Sequence, residues 1–219
     1  EAHAAMKNIP LYSTTSAPHD LVNTGGNWMT DGAGTAFASN LVLDENEAGN
    51  PYGVTAKTNA AIDSIMKQFM GIDRFVKMSN LPFDAIHHID MHMKLLDEET
   101  LLVGEFPEGV ADGPQIEANI QYVLSNFNSI YGTPFNIIRV PMPPATNGNY
   151  VDQGAYYRTY TNSVFVNNTV IVPTYRTEYD TTALRIYQEA LPGYNVVGIH
   201  PLLKEVFGIR VYKNLNDID

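Results

Sequence analysis

Cysteine is missing from this sequence of 219 residues, and tryptophan occurs once. A chain without cysteine has no disulfide, no thiolate zinc site and no thiol nucleophile of its own. Long apolar runs are missing too. The longest, such as residues 170–172, have the length of a strand, far below the roughly 18–20 residues of a membrane helix. The first residues show neither the basic nor the apolar region of a signal peptide. No membrane-spanning helix is therefore expected.

Basic residues are also scarce, with 13 Lys and Arg against 24 Asp and Glu and a net charge of −11. Nucleic acids bind to basic surfaces, so a nucleic-acid partner is not expected. A negative field attracts cationic small molecules or basic peptides over long range. The alternative is that the charge serves solubility alone. Thirteen tyrosines, with many Asn and Thr, slightly favour an extracellular or periplasmic location over the cytoplasm.

Hydrophobic periodicity predicts a unit of two strands, an amphipathic helix and a third strand, and this unit recurs three times. In the first helix, for example, Ile62, Ile65 and Phe69 share one face. The hairpin strands recur near Leu41, Leu102 and Val170, about 60–70 residues apart, as in repeat architectures. An ordinary α+β sandwich is the alternative. The predicted elements are strands at 27–39, 40–44, 75–78, 87–96, 100–106, 135–140, 156–166, 169–173 and 194–199, and helices at 58–70, 115–131 and 181–191.

Residues 87–92 (His-His-Ile-Asp-Met-His) form the densest group of chemically active side chains. On a strand, side chains alternate, which would place His88, Asp90 and His92 on one face. A carboxylate there can hold a cation while an imidazole moves protons near neutral pH. Histidine and aspartate are also metal ligands. Three interpretations therefore stay open: a catalytic pair, a metal site, or a hydrogen-bonded structural hairpin.

Residues 23–34 are rich in glycine, which permits tight turns and close backbone approach. The spacing is neither that of a dinucleotide-binding loop nor that of a P-loop. A glycine-rich entry into a hairpin is the structural alternative to a ligand-binding loop.

Three segments in this order resemble the bacterial peptidylarginine deiminase and agmatine deiminase family, within the guanidine-modifying (pentein) superfamily. The resemblance extends along nearly the whole chain, to about Ile199. The segments are Thr24-Gly25-Gly26-Asn27 with Asp31-Gly32, His88-Ile89-Asp90, and Val172-Pro173-Thr174-Tyr175 with Asp180, Ala183-Leu184 and residues 191–199.

This resemblance implies an α/β fold, a pentein propeller of five ββαβ modules of which about three are present. Residues 1–219 would then be a single, partial catalytic domain. Residues 1–20 would be the tail of a preceding module, ending in a strand at 10–13. No cofactor and no metal are implied.

The resemblance also implies a chemistry and the residues that perform it. In the family, two carboxylates hold the guanidinium, a cysteine attacks its central carbon, and a histidine protonates the leaving ammonia and then activates water. His88 would be the acid/base and Asp90 one of the carboxylates, with Asn149 and Asn27 as further substrate contacts. The second carboxylate, in a Trp-x-Arg-Asp segment, and the cysteine downstream of residue 199 have no counterpart in this sequence.

Two functions follow as expectations. The first is a deiminase-family hydrolase of peptidyl-arginine, agmatine or arginine, in which this chain is inactive alone because it lacks the cysteine. The second is a non-catalytic module that binds cationic ligands. A fragment, a split protein and a pseudoenzyme all fit the missing residues. Strand edges left open by missing modules would favour self-association.

Overall fold

The computed structural model describes residues 2–200, in which nine strands form three separate three-stranded sheets. In each sheet an antiparallel hairpin is followed by a helix and then by a third strand, which pairs in parallel with the second strand of the hairpin. The predicted ββαβ unit is thus confirmed three times. Among residues 2–200, no helix is both long and apolar enough to cross a membrane.

The first module follows a short helix α1 (Ala2–Lys7) and contains β1 (Met29–Thr30), β2 (Thr35–Ser39), α2 (Leu41–Asp44), α3 (Asn59–Met70) and β3 (Arg74–Met78). The β1–β2 turn forms because one oxygen of Asp31 accepts the N–H groups of Ala33 and Thr35. Helix α3 begins where the Thr58 hydroxyl accepts the Ala61 N–H. It ends at Gly71, whose φ of 70° suits glycine.

The second module contains β4 (Met93–Leu95), β5 (Thr100–Glu105), α4 (Gly113–Asn126) and β6 (Asn136–Pro141). The third contains β7 (Val164–Val166), β8 (Thr169–Pro173), α5 (Thr177–Ala190) and β9 (Asn195–Ile199). Both sheets are entered by long irregular segments. These segments carry the side chains of the candidate site.

Helices α4 and α5 each lie between the sheet of their own module and the sheet of the preceding module. Ile116, Ile120 and Val123 of α4 pack in one core cluster with Phe37 of β2 and Val103 of β5. In the same way, Ala183 and Tyr187 of α5 pack in a second cluster with Leu102 of β5 and Val170 of β8. The modules are therefore stacked side by side with a shared core, which fixes the loops at their junctions.

Five predicted strands were wrong in part or entirely. Residues 27–39 form two short strands, and residues 40–44, predicted as a strand, form helix α2, so the hairpin of the first unit closes at β2 rather than near Leu41. Residues 87–92 are not strand: residues 89–91 form a 3₁₀ turn, and only residues 93–95 pair. The strand predicted at 156–166 is confined to β7, and residues 10–13 are irregular.

Hydrogen bonds from side chains that are distant in the sequence shape part of these regions: Asn27 accepts the Ser39 and Ile89 N–H groups, and Thr161 donates to the Asp90 carbonyl. The helices and closing strands, which depend on local periodicity, were predicted to within a few residues.

Candidate active site

The candidate site begins with a buried amide that joins the first two modules. Asn27 ends the 3₁₀ turn Gly25–Asn27 and is fully buried. Its Oδ1 accepts the Ser39 N–H at 2.8 Å and the Ile89 N–H at 3.1 Å, and its Nδ2 donates to the Ser39 carbonyl at 3.4 Å. One side chain thereby fixes the glycine turn, the end of β2 and the start of the 3₁₀ turn at residues 89–91.

The glycine turn is also held from the opposite side by the end of α2. Glu45, which is buried, accepts a hydrogen bond from the Thr24 hydroxyl. The Asn46 amide accepts the Val22 N–H at 2.9 Å and donates to the Val22 carbonyl at 2.7 Å. The segment that leads into the turn is therefore bonded to the end of α2 at Val22 and at Thr24.

Gly26 lies directly against the two side chains singled out from the sequence. A Cβ built on Gly26 would collide with Nδ1 of His88 and would stand 2.9 Å from Oδ2 of Asp90. His88 and Asp90 therefore converge on one point above the turn, although they do so across a 3₁₀ turn and not along a strand face. Both are partly exposed. A residue with a Cβ at this position would displace the side chains of His88 and Asp90.

Asp90 is held in an environment that disfavours its charge. Burial raises the pKa of its carboxyl to about 6, nearby Asp84 adds to the rise, and His88 and Lys94 oppose it. Its Oδ1 is buried and has no hydrogen-bond partner among the described residues. A buried acceptor without a donor costs free energy, so this oxygen is suited to receive a donor from a ligand.

The third module fixes Asp90 and Lys94 from the other side. The hydroxyl of Thr161, which is fully buried, donates to the Asp90 carbonyl at 2.7 Å. The ammonium group of Lys94 donates to the Ser163 carbonyl at 2.6 Å. Burial lowers the pKa of Lys94, and the nearby Asp90 raises it. All three modules thus meet at Asp90.

Two further buried carboxylates, which the sequence analysis did not indicate, lie near His87 or His88. Asp84 and Asp112 are 3% and 1% exposed, and burial raises the pKa of both. Asp112 accepts the Phe83 N–H at 2.9 Å and the Tyr157 hydroxyl at 2.9 Å, so both of its oxygens are bonded. Asp84 accepts the Ile86 N–H, and its other oxygen is buried without a partner among residues 2–200.

His92, which was expected on the face of His88 and Asp90, is 1% exposed, and neither ring nitrogen has a partner among the described residues. The alternation fails because residues 89–91 form a 3₁₀ turn. Burial lowers the pKa of His92 to about 4, so the ring is neutral at pH 7. No group of three or more potential metal ligands occurs within residues 2–200. The structure therefore does not bring His88, Asp90 and His92 together as a group of metal ligands.

Asn149 lies in the irregular segment after β6. It lines a narrow cleft together with Phe106, Tyr150, Tyr157 and Arg158. Its backbone N–H donates to the Asn147 side chain at 3.1 Å. Asn27, by contrast, lies beneath the pair. The substrate contacts expected of Asn27 and Asn149 stay predictions.

Comparison with known proteins gives consistent matches to one group. The sequence model described as Porphyromonas-type peptidyl-arginine deiminase matches residues 2–207. A candidate agmatine deiminase of Vibrio parahaemolyticus is 23% identical over 195 residues, which are 82% of this chain and 53% of that protein. The chain therefore spans about half the length of the curated relatives it matches.

Solved structures agree with the sequence matches. A candidate arginine deiminase from Porphyromonas gingivalis has a TM-score of 0.68 at 27% identity, with 82% of this chain and 52% of that chain covered. The agmatine deiminase of C. jejuni has a TM-score of 0.63 at 22% identity, with 83% and 51% covered. At that lower identity the likeness is one of fold. The three ββαβ modules are thus the pentein-type modules expected from the sequence.

Replacement of Gly26 by alanine should destabilise the chain, because the added methyl group overlaps His88 and Asp90. We expect Gly26→Ala to lower the free energy of unfolding by about 1–3 kcal/mol. Gly25→Ala is the matched control: nothing lies within 4 Å of a Cβ at Gly25, and its φ is not positive. Urea unfolding followed by circular dichroism measures both. Equal effects of the two substitutions would contradict the close approach at Gly26.

Replacement of Asp90 by asparagine should stabilise the chain at neutral pH. An acid whose pKa is higher in the folded state (about 6) than in the unfolded state (3.8) binds more protons when folded, so its contribution to stability falls as the pH rises from about 4 to 6. Asp90→Asn removes this cost. We expect a gain of about 1–3 kcal/mol at pH 7.5, after allowance for partial exposure, and little gain at pH 4. A variant that is less stable than the wild type at pH 7.5 would contradict this account.

Proposed function

Since the chain belongs to the Porphyromonas-type peptidyl-arginine deiminase family, whose members are guanidine-modifying hydrolases, we propose that it forms part of a single catalytic domain that acts on guanidinium compounds. The observation that carries this proposal is the convergence of His88 and Asp90 on Gly26 at the meeting point of the three modules. Because the chain spans about half of its relatives, the remaining parts of the site would come from outside these residues.

Asp90 is the residue we assign to the guanidinium. Its carboxylate has an unsatisfied buried oxygen, and a guanidinium offers up to five N–H donors in one plane. Charge-assisted hydrogen bonds in a partly buried site are shorter and stronger than neutral ones. Binding of a cation also favours the ionised carboxylate, which reverses the effect of burial on the pKa of Asp90.

His88 is the residue we assign to proton transfer. In the complete reaction a thiolate bonds to the central carbon of the guanidinium, the carbon–nitrogen bond breaks, and the leaving nitrogen takes a proton from the imidazolium and departs as ammonia. The neutral imidazole then takes a proton from water, whose oxygen bonds to the carbon and releases the thiolate, and the product is a urea. The partly exposed ring of His88 beside Asp90 suits both steps.

Asn27 and Asn149 take different parts in this proposal. Asn27 uses both ends of its amide within the protein, so we assign it to the support of the His88–Asp90 turn instead of to substrate contact. Asn149 lines a cleft in the segment between β6 and β7 and remains a proposed substrate contact.

A second candidate function is a non-catalytic module that binds guanidinium ligands. The observation that favours this second function is that the sequence contains no cysteine, and so no thiol nucleophile. Association with another polypeptide fits both candidates. On the outer face of the third sheet, Val164 and Val166 of β7 are 52% and 50% exposed, whereas the corresponding faces of the first two sheets are covered by α4 and α5.

The chain should bind a guanidinium through Asp90. Agmatine should bind to the wild type, and its ureido analogue, in which a neutral urea replaces the guanidinium and the ammonium group is kept, should not. The affinity for agmatine should fall about tenfold between pH 7.5 and pH 5, because Asp90, with a pKa of about 6, is then mostly protonated. Asp90→Asn should remove both binding and its pH dependence, while Asp97→Asn, an exposed control, should not. Calorimetric titration measures this, and equal binding to wild type and Asp90→Asn would contradict the proposal.

The 219-residue polypeptide should not hydrolyse guanidinium compounds by itself. Attack on a delocalised cation requires a strong nucleophile, and the sequence has no thiol. Acid–base catalysis by His88 and Asp90 alone supplies only roughly 10²–10⁴-fold. An ammonia-release assay with agmatine and arginine peptides should therefore give no turnover above background. Turnover at about 1 s⁻¹ or faster would contradict this and would require another mechanism.

A further inference from the structure

The backbone on both sides of His88 is held by hydrogen bonds from the first module. The hydroxyl of Ser39 donates to the carbonyl of His87, which belongs to the peptide group before His88. The side-chain oxygen of Asn27 accepts the N–H of Ile89, which belongs to the peptide group after His88, at 3.1 Å. Peptide groups are planar, so bonds to two successive groups restrict the backbone torsions between them and the direction of the Cβ. The ring of His88 then moves only about its own side-chain torsions.

The two side chains that hold these peptide groups are also bonded to one another. Asn27 accepts the Ser39 N–H at 2.8 Å and donates to the Ser39 carbonyl at 3.4 Å. The Ser39 hydroxyl accepts the Leu41 N–H at 3.2 Å. Ser39 is the last residue of β2 and is 2% exposed. Its hydroxyl acts as donor and as acceptor at once, so its orientation is fixed at the end of a paired strand.

His87 has a backbone conformation that few side chains adopt. Its φ of 56° lies in the left-handed region. The N–H of Ile86, just before it, donates to the side chain of Asp84 at 3.1 Å. The bond from Ser39 holds the carbonyl on its other side. A strained conformation persists only where its surroundings hold it in this way, and such positions are concentrated at functional sites.

We propose that Ser39 is a positioning residue for His88. Its hydroxyl holds the His87 carbonyl in the left-handed kink, and the kink keeps the His88 ring over Gly26 and beside Asp90. The inference rests on the proposed function, in which His88 transfers protons, and Ser39 acts only through the backbone. Without the hydroxyl, a carbonyl loses its donor. The peptide group is then expected to turn toward another donor and to take the imidazole with it.

The position of the His88 ring can be measured in a chain that is isotopically labelled at histidine. The ring lies against Gly26, so the wild type should show a nuclear Overhauser contact between the His88 ring and the Gly26 α protons. Ser39→Ala should lose this contact, and Ser39→Thr, which retains a hydroxyl, should keep it. Ser129→Ala is the matched control. Ser129 is also buried, and its hydroxyl forms a hydrogen bond with Thr133 at 3.0 Å in the loop between α4 and β6.

A second readout is the titration of Asp90. Its pKa of about 6 is lowered by the charges of His88 and Lys94 and raised by that of Asp84. When the His88 ring moves away, Asp90 loses a favourable charge. Its pKa should therefore rise by at least about 0.5 in Ser39→Ala and return to the wild-type value in Ser39→Thr. A role of Ser39 in stability alone would lower the melting temperature without a change in this titration.

Two substitutions at His87 test the kink separately from the hydroxyl. His87→Gly and His87→Val both remove the imidazole, so a difference between them reports the backbone alone. Glycine adopts a φ of 56° readily, whereas a β-branched residue is strained there. His87→Gly should keep the contact between His88 and Gly26, and His87→Val should lose it. Thermal unfolding of every variant verifies that the fold is retained.

The positioning role and the proposed function fail in different ways. A ring contact and an Asp90 titration that are both unchanged in Ser39→Ala, or that change equally in Ser129→Ala, overturn the positioning role. Agmatine, titrated calorimetrically against the wild type, reports the guanidinium site independently. If Ser39→Ala moves the ring and agmatine does not bind, the positioning of His88 stands and the guanidinium function fails. If agmatine binds through Asp90 and the ring stays in place in Ser39→Ala, the guanidinium function stands and the positioning role is overturned.

Discussion

The hydrogen bonds of the buried Asn27 amide hold the first two modules in register, and the geometry of the candidate site depends on them. One oxygen receives backbone N–H groups from the end of β2 and from the 3₁₀ turn at residues 89–91. Without this link the two segments would each have an unsatisfied buried N–H. With it, Gly26 is placed beneath His88 and Asp90, and the pair is positioned by backbone instead of by flexible side chains. Such support from buried hydrogen bonds is what a precise site requires.

The side chains of the candidate site lower the stability of the folded chain, which is typical of functional regions. The carboxyl groups of Asp84 and Asp90 have raised pKa values, and each has one buried oxygen that lacks a partner among the described residues. A protein selected only for stability would replace them by apolar residues or would bond them fully, as it does with Asp112. The concentration of unsatisfied acceptors around His88 therefore indicates a place where a cationic ligand is expected.

Much of the fold could be predicted because it depends on local periodicity. Apolar residues recur at helical spacing in α3, α4 and α5 and at strand spacing in the closing strands. The order of these elements then predicts the ββαβ unit. The His88–Asp90 pair was also predictable, from residue type. Its geometry was not: the alternation at residues 87–92 favours a strand, whereas residues 89–91 form a 3₁₀ turn held by hydrogen bonds from the distant Asn27 and Thr161.

The other residues at the site have no local signature. Asp84 and Lys94 flank the pair, in an irregular segment and in β4, and Thr161 is 71 positions from the carbonyl it contacts. Sequence patterns predict helices and strands well, because these elements depend on residues that are close in the sequence. They do not predict which irregular segments come into contact, because such contacts depend on long-range packing.

The central claim is that Asp90 holds a guanidinium group where the three modules meet. A crystal structure of the chain with N-acetyl-arginine tests it most directly. We expect two guanidinium nitrogens within about 2.7–2.9 Å of the Asp90 carboxylate, above Gly26 and beside His88. A ligand bound elsewhere, with its guanidinium away from Asp90, would contradict the account.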